Sequence, residues 1–142
     1  MKSVFGDIRD SKNFEKVLQD SQPSIIFHLA AQSLVYKSFE NPFETLEINI
    51  LGTVNLFESL RKRVIQPDVI INVTSDKCYL NSGAQKYFKE DDNLGGSDIY
   101  SSSKACSEII TSAYRDSFFL DSDIKVATAR SEEHTSELQS QF

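Results

Sequence analysis

Two short segments carry the side chains that could move protons. Ser75, Asp76 and Lys77 place a hydroxyl, a carboxylate and an ammonium in consecutive positions directly after an apolar run. Such a set is suited to proton transfer. Tyr100 and Lys104 lie four residues apart, a spacing that puts both side chains on one face of a helix. The sequence therefore predicts a site for acid–base chemistry, with these five residues as its candidates.

The spacing of Tyr100 and Lys104 has a use in general-base catalysis. At an assumed separation of about 5 Å and an effective dielectric constant of about 20, Coulomb's law gives roughly 3 kcal/mol in favour of the phenolate, which is about two pKa units. Such a phenol can take a proton from a hydroxyl group. The alternative for a single Tyr-x-x-x-Lys motif is a solvated pair on a helix surface. Its position after the 75–77 segment and a long loop favours the chemical interpretation.

The elements that must position these residues follow an α/β pattern. Short continuous apolar runs, typical of strands buried on both faces, alternate with stretches of helical period. The alternation predicts βαβ units around a parallel sheet. The predicted strands are 3–5, 24–29, 69–74 and 125–129, and the predicted helices are about 11–20, 42–63 and 98–119.

The last predicted helix and the segment before it carry further expectations. Apolar residues in 98–119 recur at intervals that suit one inward face. They are Ile99, Ala105, Ile109, Ala113 and Phe118. Residues 80–97, rich in Asn, Gly and charge, predict a long loop, and loops of this length in compact domains tend to be functional.

Two more strand exits lie where ligands bind in open parallel sheets, beyond the carboxyl ends of the strands. Asp7 and Ile8 follow the first predicted strand, and the Asp7 carboxylate could accept a hydrogen bond from an adenine amino group. Ala30 and Ala31 follow the second, and their small side chains let a dinucleotide pass close to the backbone. These four residues are the candidates for cofactor binding at the strand exits.

Composition narrows the range of partners. The net charge of -6 argues against nucleic acid or an anionic membrane as the main partner. Cys78 and Cys106 form no Cys-x-x-Cys motif and have no nearby His, so neither a metal site nor a disulfide framework is predicted. No apolar run approaches the roughly 20 residues that cross a bilayer. A soluble, cytoplasmic protein with a small-molecule ligand is expected, without a membrane partner.

The order of these motifs resembles that of the extended short-chain dehydrogenase/reductase family. The resemblance rests on the residues of 6–10, 28–32, 49–53, 74–79 and 100–104. Within that family, 73–79 and 96–104 are similar to the same segments of CDP-glucose 4,6-dehydratases. The dTDP-glucose dehydratases carry Thr-Asp-Glu where this chain has Ser75, Asp76 and Lys77. UDP-glucose epimerases are less similar to this chain, because they lack the pair of an Asp and a base.

The resemblance implies a fold and a cofactor. The fold would be part of a Rossmann-like, doubly wound parallel sheet, without the first βα unit and without the C-terminal substrate domain. The cofactor would be NAD, with Asp7 and Ile8 flanking its adenine and Ala30 and Ala31 beneath its pyrophosphate or nicotinamide ribose. Tyr100 and Lys104 would complete the cofactor-binding set. The family's Gly-x-x-Gly-x-x-Gly turn does not occur in the sequence. Residues 1–142 are therefore expected to bind NAD poorly and to be inactive on their own.

The resemblance also implies a reaction, the conversion of CDP-glucose to CDP-4-keto-6-deoxyglucose by a lyase. Tyr100 would take the proton from the C4 hydroxyl, while Lys104 holds the nicotinamide ribose and Ser75 hydrogen-bonds the C4 oxygen. Asp76 would protonate the departing C6 hydroxyl. Lys77 stands where relatives keep a Glu base, so it either removes the C5 proton or orients the sugar.

Other interpretations stay open at this point. The parent enzyme, expected to be a homo-oligomer, could instead be a dTDP-glucose dehydratase or a UDP-sugar epimerase. The chain could also be a non-catalytic Rossmann-like binding module. His28 is expected to be a hydrogen-bonded core residue, and Asn49 is expected to bond backbone near the site. Residues 130–140 match the translation of a sequencing-library adaptor, so we expect a partial NAD-binding domain at 1–130 and a non-native, disordered tail at 131–142.

Overall fold

A three-stranded parallel sheet forms the centre of the computed structural model, which describes residues 3–81 and 87–131. The strands are β1 (Ile25–His28), β2 (Val69–Ser75) and β3 (Lys125–Ser131), in the order β1-β2-β3. Val69 pairs with Ile25 on one side and with Lys125 on the other. The predicted α/β class and three of the four predicted strands are confirmed.

Helices connect the strands. Their bounds are α1 (Ser11–Ser21), α2 (Val35–Glu40), α3 (Pro42–Leu46), α4 (Gly52–Arg61) and α5 (Ile99–Tyr114). π-helical turns at Glu47–Leu51 and Arg115–Phe119 join α3 to α4 and extend α5, which accounts for the long helices predicted there. Within residues 3–81 and 87–131, every helix is too short or too polar to cross a membrane.

The main apolar core lies between the sheet and the helices α1 and α4. It consists of Leu18, Leu56, Phe57, Leu60, Ile65, Ile70 and Phe119. The Phe57 ring stacks on that of Tyr114 with 5.3 Å between centroids. Each of these large side chains contributes about 1.5–3 kcal/mol when it leaves water, so this cluster holds α1, α4 and the π-helical turn after α5 against β2.

The strand predicted at 3–5 is wrong. Among the described residues nothing pairs with this segment, and Phe5 is 98% exposed. A strand needs a neighbour for its backbone hydrogen bonds, so an apolar run alone does not produce one. Among the described residues, β1 also has a paired strand on only one edge. The side chains of Ile25 and Phe27 are exposed.

The face of α5 that packs on the sheet is polar, which reverses the predicted orientation of three residues. Ile109, Ala113 and Phe118 are exposed rather than inward. The buried positions are Tyr100, Ser101, Ser103, Lys104, Ala105, Ser107, Glu108 and Thr111. Asn72 on β2 donates to the hydroxyls of Ser107 and Thr111 at 2.9 and 2.8 Å. Hydrogen bonds of this kind offset the cost of burying polar groups, so the helix can present this face to the sheet.

β3 ends at Ser131, one residue beyond the predicted domain boundary. The backbone of Ser131 is paired with that of Ser75, and the Ser131 hydroxyl donates to the Thr74 carbonyl at 3.1 Å. The remainder of the predicted tail, 132–142, lies outside the described residues.

Candidate active site

The exit of β2 brings three predicted catalytic side chains into contact. β2 ends at Ser75, and a single 3-10 turn, Asp76–Cys78, follows. The Ser75 hydroxyl donates to Asp76 Oδ1 at 3.0 Å and accepts from the Lys77 backbone N–H at 3.3 Å. Lys77 Nζ lies 3.9 Å from Asp76 Oδ1. The hydroxyl, carboxylate and ammonium therefore form one cluster at the carboxyl end of the sheet, where ligands bind in open parallel folds.

Tyr100 and Lys104 lie on the buried face of α5. The helix begins after Asp98, whose carboxylate caps it by accepting from the Ser101 N–H at 2.9 Å. Tyr100 is 0% exposed and Lys104 is 7% exposed, so the alternative of a solvated pair is wrong. Lys104 Nζ lies 5.9 Å from the centroid of the Tyr100 ring. Because Tyr100 is fully buried, a substrate can touch its hydroxyl only if neighbouring groups move.

A cavity of about 280 Å³ lies between the β2 exit and the start of α5. Asp76 and Lys77 line it from one side, and Asp98 and Ser101 line it from the other. A second cavity of about 840 Å³ also borders Asp76 and extends to β3. Cavities of roughly 300–1,000 Å³ commonly hold small ligands. Asp76 is thus the predicted catalytic residue placed best for contact with a bound molecule.

Three of the six predicted cofactor residues share another cavity. Asp7, Ile8 and Ala30 line a space of about 230 Å³, while Ala31 lies half-buried beside Ala30. Side-chain hydrogen bonds from the Arg9 guanidinium, at 2.6 and 3.0 Å, lower the pKa of Asp7 to about 2. Asp7 is therefore an acceptor at neutral pH, and Ile8 and Ala30 line the same cavity with apolar side chains.

Gly52 is a site-shaping residue that the sequence analysis missed. A Cβ atom at this position would lie 2.8 Å from Cγ2 of Ile8, which is closer than real Cβ contacts come. The glycine lets the start of α4 approach the Asp7 and Ile8 segment. The signal was present in the sequence, since Gly52 belongs to the 49–53 segment on which the resemblance rests.

Asn49 connects the exit of β1 to α5. Its Oδ1 accepts from the Gln32 N–H at 2.8 Å, and its Nδ2 donates to the Gln32 carbonyl at 3.1 Å and to Ser103 Oγ at 2.8 Å. The predicted role of Asn49, bonding backbone near the site, is confirmed. The side chain fixes the segment after Ala31 against the helix that carries Tyr100.

Two titratable side chains near the site are buried. His28 is 7% exposed, and burial, with a smaller effect from the Lys104 charge, lowers its pKa to about 4. Burial also raises the pKa of the Cys78 thiol to about 11. His28 is therefore uncharged and Cys78 remains a thiol at neutral pH, as expected for core residues.

A buried ion pair behind the site was also missed. Arg130 Nη2 lies 3.0 Å from Glu108 Oε2, and the Glu108 side chain is almost fully buried. Glu108 lies at helical spacing from Tyr100 and Lys104, so the sequence placed it on the same face of α5. Nothing in the sequence indicated Arg130 as the partner of Glu108, because Arg130 is the first residue of the adaptor-like run.

Comparison with known proteins identifies the family. The family described as GDP-mannose 4,6 dehydratase matches residues 1–142. The chain belongs to this family. It is 44% identical over 119 residues to the CDP-glucose 4,6-dehydratase of Salmonella typhimurium, covering 84% of this chain and 33% of the relative. It is 31% identical over 124 residues to a dTDP-glucose 4,6-dehydratase of Xanthomonas campestris pv. campestris, covering 82% of this chain and 35% of the relative.

A solved structure agrees with the assignment to the GDP-mannose 4,6 dehydratase family. The UDP-glucose 4-epimerase of Thermus thermophilus, in complex with NAD, superposes with a TM-score of 0.73 and 26% sequence identity, covering 88% of this chain and 39% of that chain. The predicted Rossmann-like fold and the resemblance to CDP-glucose 4,6-dehydratases are confirmed. The chain spans about a third of the length of the curated relatives it matches.

Proposed function

We propose that this chain is part of an NAD-dependent nucleotide-sugar 4,6-dehydratase that acts on CDP-glucose. The observation that carries the proposal is the contact of Ser75, Asp76 and Lys77 at the carboxyl end of β2, beside a cavity. An enzyme that only inverts or oxidises a sugar carbon needs no acid for a leaving hydroxyl, whereas a dehydratase does. The identity of 44% with a CDP-glucose 4,6-dehydratase supports the choice of sugar nucleotide.

The candidate cofactor residues support NAD as the hydride carrier. Bound NAD would take a hydride from C4 of the sugar and return it to C6. Asp7 would accept from the adenine amino group, Ile8 would pack against the ring, and Ala30 and Ala31 would leave room for the rest of the dinucleotide. The cavity shared by Asp7, Ile8 and Ala30 supports this arrangement.

The chain's own residues then handle the protons. Tyr100 accepts the proton of the C4 hydroxyl, and Ser75 donates a hydrogen bond to the C4 oxygen. The ammonium of Lys104, beside the Tyr100 ring, stabilises the phenolate. The new C4 ketone acidifies the C5 proton, which a base removes and later replaces at C5 when the hydride returns to C6. Asp76, in its protonated form, gives its proton to the C6 hydroxyl. That hydroxyl leaves as water.

Lys77 has two possible roles in this scheme. As a neutral amine it removes the C5 proton, and as an ammonium it orients the sugar beside Asp76. Lys77 Nζ lies 3.9 Å from Asp76 Oδ1, so either role places it beside the proposed acid. The cytoplasmic location and the homo-oligomeric state of the enzyme stay predictions.

Product analysis tests the proposal. The full-length enzyme that contains this chain is incubated with NAD and, separately, with CDP-glucose, dTDP-glucose, GDP-mannose and UDP-glucose. We expect CDP-glucose to give a product with a C4 ketone and a C6 methyl group, seen by NMR, and to take up one solvent deuterium at C5 in D₂O. A C4-epimer of any substrate would support the epimerase alternative. The absence of any product would reject the proposed enzyme.

A further inference from the structure

Glu108 is a buried carboxylate that the proposed chemistry does not use. It lies on α5 about two helical turns after Tyr100, and 2% of its surface is exposed. Its Oε1 accepts a hydrogen bond from the Thr74 hydroxyl. Its Oε2 accepts from the Thr128 hydroxyl and from Arg130 Nη2, both at 3.0 Å. One carboxylate therefore joins α5 to β2 and to β3.

Arg130 continues this network to the far side of the β2 exit. Its Nη1 donates to the Tyr79 hydroxyl at 2.8 Å and to the Glu90 carbonyl at 3.0 Å. The guanidinium carbon lies 4.8 Å from the centroid of the Tyr79 ring, a cation–π contact. The hydrogen bond to Glu108 raises the pKa of Arg130 above its ordinary value, so the side chain stays a cation.

These contacts bracket the 75–77 segment. Thr74 directly precedes it, and Tyr79 directly follows the turn Asp76–Cys78. Both flanking side chains bind the same buried ion pair, Thr74 through Glu108 and Tyr79 through Arg130. Removing two charges from water costs free energy, which offsets much of the attraction between them. A buried ion pair can therefore affect the geometry of its surroundings more than the stability of the fold.

We propose that Glu108 and Arg130 are positioning residues that hold Asp76 at a fixed place relative to Tyr100. The inference rests on the proposed function, in which Tyr100 serves oxidation at C4 and Asp76 serves loss of the C6 hydroxyl. Both groups must contact one sugar, and a misplacement of about 1 Å can cost about 100-fold in rate. Glu108 shares a helix with Tyr100, and its partner Thr74 lies two residues before Asp76. Loss of the contact therefore moves one group relative to the other.

The substitution Glu108→Gln distinguishes the positioning role of Glu108 from a role in which its side chain only fills buried space. Glutamine keeps an acceptor for Thr74 but presents an amide nitrogen, which cannot accept, to the Arg130 guanidinium. Glu58→Gln is the matched control. Glu58 accepts from Arg61 Nε at 2.7 Å and from the Tyr114 hydroxyl at 2.9 Å, so it makes the same types of contact between α4 and the end of α5.

Kinetics in the full-length enzyme give the first readout, measured on protein that is folded by circular dichroism and gel filtration. We expect Glu108→Gln to lower formation of the keto sugar by about tenfold or more while enzyme-bound reduced NAD still forms with CDP-glucose. Glu58→Gln should stay within about twofold of wild type in both steps. Unchanged product formation in Glu108→Gln, or an equal loss of both steps, would overturn the proposal.

Amide hydrogen exchange in residues 1–142 gives a second readout that needs no catalysis. The Lys77 N–H donates to Ser75 Oγ and the Tyr79 N–H to the Asp76 carbonyl, both at 3.3 Å, so their exchange reports the order of the turn. Exchange at both amides should be about tenfold faster in Glu108→Gln and unchanged in Glu58→Gln. Equal protection in Glu108→Gln and wild type would overturn the positioning role.

The two readouts also separate the inference from the proposed function. If the wild-type enzyme forms no keto sugar, the proposed function fails, and the exchange rates alone decide whether the ion pair orders the turn. If Glu108→Gln does not fold, Tyr79→Phe replaces it in both experiments. That change removes only the hydroxyl that accepts from Arg130, and the same results support or overturn the proposal.

Discussion

Asn49 donates a 2.8 Å hydrogen bond to the hydroxyl of Ser103, although 54 residues separate the two positions in the chain. The Ser103 hydroxyl in turn donates to the carbonyl of Tyr100 at 2.7 Å. At its other end, the Asn49 amide exchanges two hydrogen bonds with the backbone of Gln32. One buried side chain therefore sets the distance between the β1 exit and the helix that carries Tyr100 and Lys104.

The substitution Asn49→Asp should destabilise the fold, because aspartate keeps the acceptor for the Gln32 N–H but loses both donors and adds a buried charge. We expect a loss of about 2–4 kcal/mol in the free energy of unfolding, measured by urea denaturation of residues 1–142. Asn41→Asp makes the same chemical change at an exposed position and should cost less than about 0.5 kcal/mol. Equal losses in both variants would show that the bonds of Asn49 contribute nothing specific.

The sequence predicted β1, β2 and β3 from short apolar runs, although only β2 has several buried residues in the fold. It failed where an element depends on a distant partner. The segment 3–5 has the composition of a strand but no neighbour among the described residues. α2 was missed because it has only six residues and no side-chain cap at Leu34. Neither feature is visible in local composition.

The candidate site was predicted as a set of residues but not as a geometry. Motif order located the 75–77 segment and the Tyr100–Lys104 pair. The contacts behind them join residues far apart in sequence, such as Glu108 with Thr74, and periodicity cannot reveal them. The apolar pattern of α5 even pointed to the wrong face, since Ile109 is exposed and Glu108 is buried. Pairing between polar groups, rather than hydrophobicity, orients this helix.

His28 should make stability depend on pH. Burial lowers its pKa from 6.5 to about 4, so the unfolded chain binds a proton at a higher pH than the folded chain does. The stability that the neutral side chain provides is complete above about pH 6.5 and is lost as pH falls toward 4. Between pH 7 and pH 5 we expect wild type to lose about 2 kcal/mol of unfolding free energy through this residue.

Urea denaturation of wild type and His28→Gln at both pH values checks this expectation. The variant has no group that titrates at this position, so its loss should be smaller by about 2 kcal/mol. Asp7 and Glu58 have pKa values near 2, lowered mainly by Arg9 and Arg61, and they titrate below this pH range. An equal pH dependence in the two proteins would mean that His28 is not held in its neutral form.

The side of β1 that no described strand covers should promote self-association of residues 1–142. Ile25 and Phe27 are both more than half exposed, with Phe27 at 59%, and they alternate along the strand so that they share one face. Leu29, directly after the strand, is also more than half exposed. Exposed apolar strands at a sheet edge are sites of aggregation. We expect Phe27→Lys to remain monomeric at concentrations where wild type associates, as measured by sedimentation velocity.

A charge placed elsewhere provides the control for that experiment. Leu120 is 70% exposed and lies in the connection between α5 and β3. Leu120→Lys adds the same charge without changing the face of β1, so it should associate as wild type does. Equal suppression by both variants would assign the effect to net charge rather than to the strand.

Asp76→Asn should separate the two halves of the proposed reaction in the full-length enzyme. Asparagine still offers an oxygen to the Ser75 hydroxyl, which now donates to Asp76 at 3.0 Å, so the turn should keep its shape. It has no acidic proton for the C6 hydroxyl, and loss of a general acid costs about 100-fold to 10,000-fold. Oxidation at C4 depends on Tyr100 and Ser75 and should continue. Enzyme-bound reduced NAD should therefore accumulate with CDP-glucose, seen by its absorbance, while keto-sugar formation falls.

Asp123→Asn, at an exposed position before β3, should leave both signals unchanged. Normal turnover of Asp76→Asn would assign the acid role to another group, and loss of both signals would place Asp76 in the oxidation step as well.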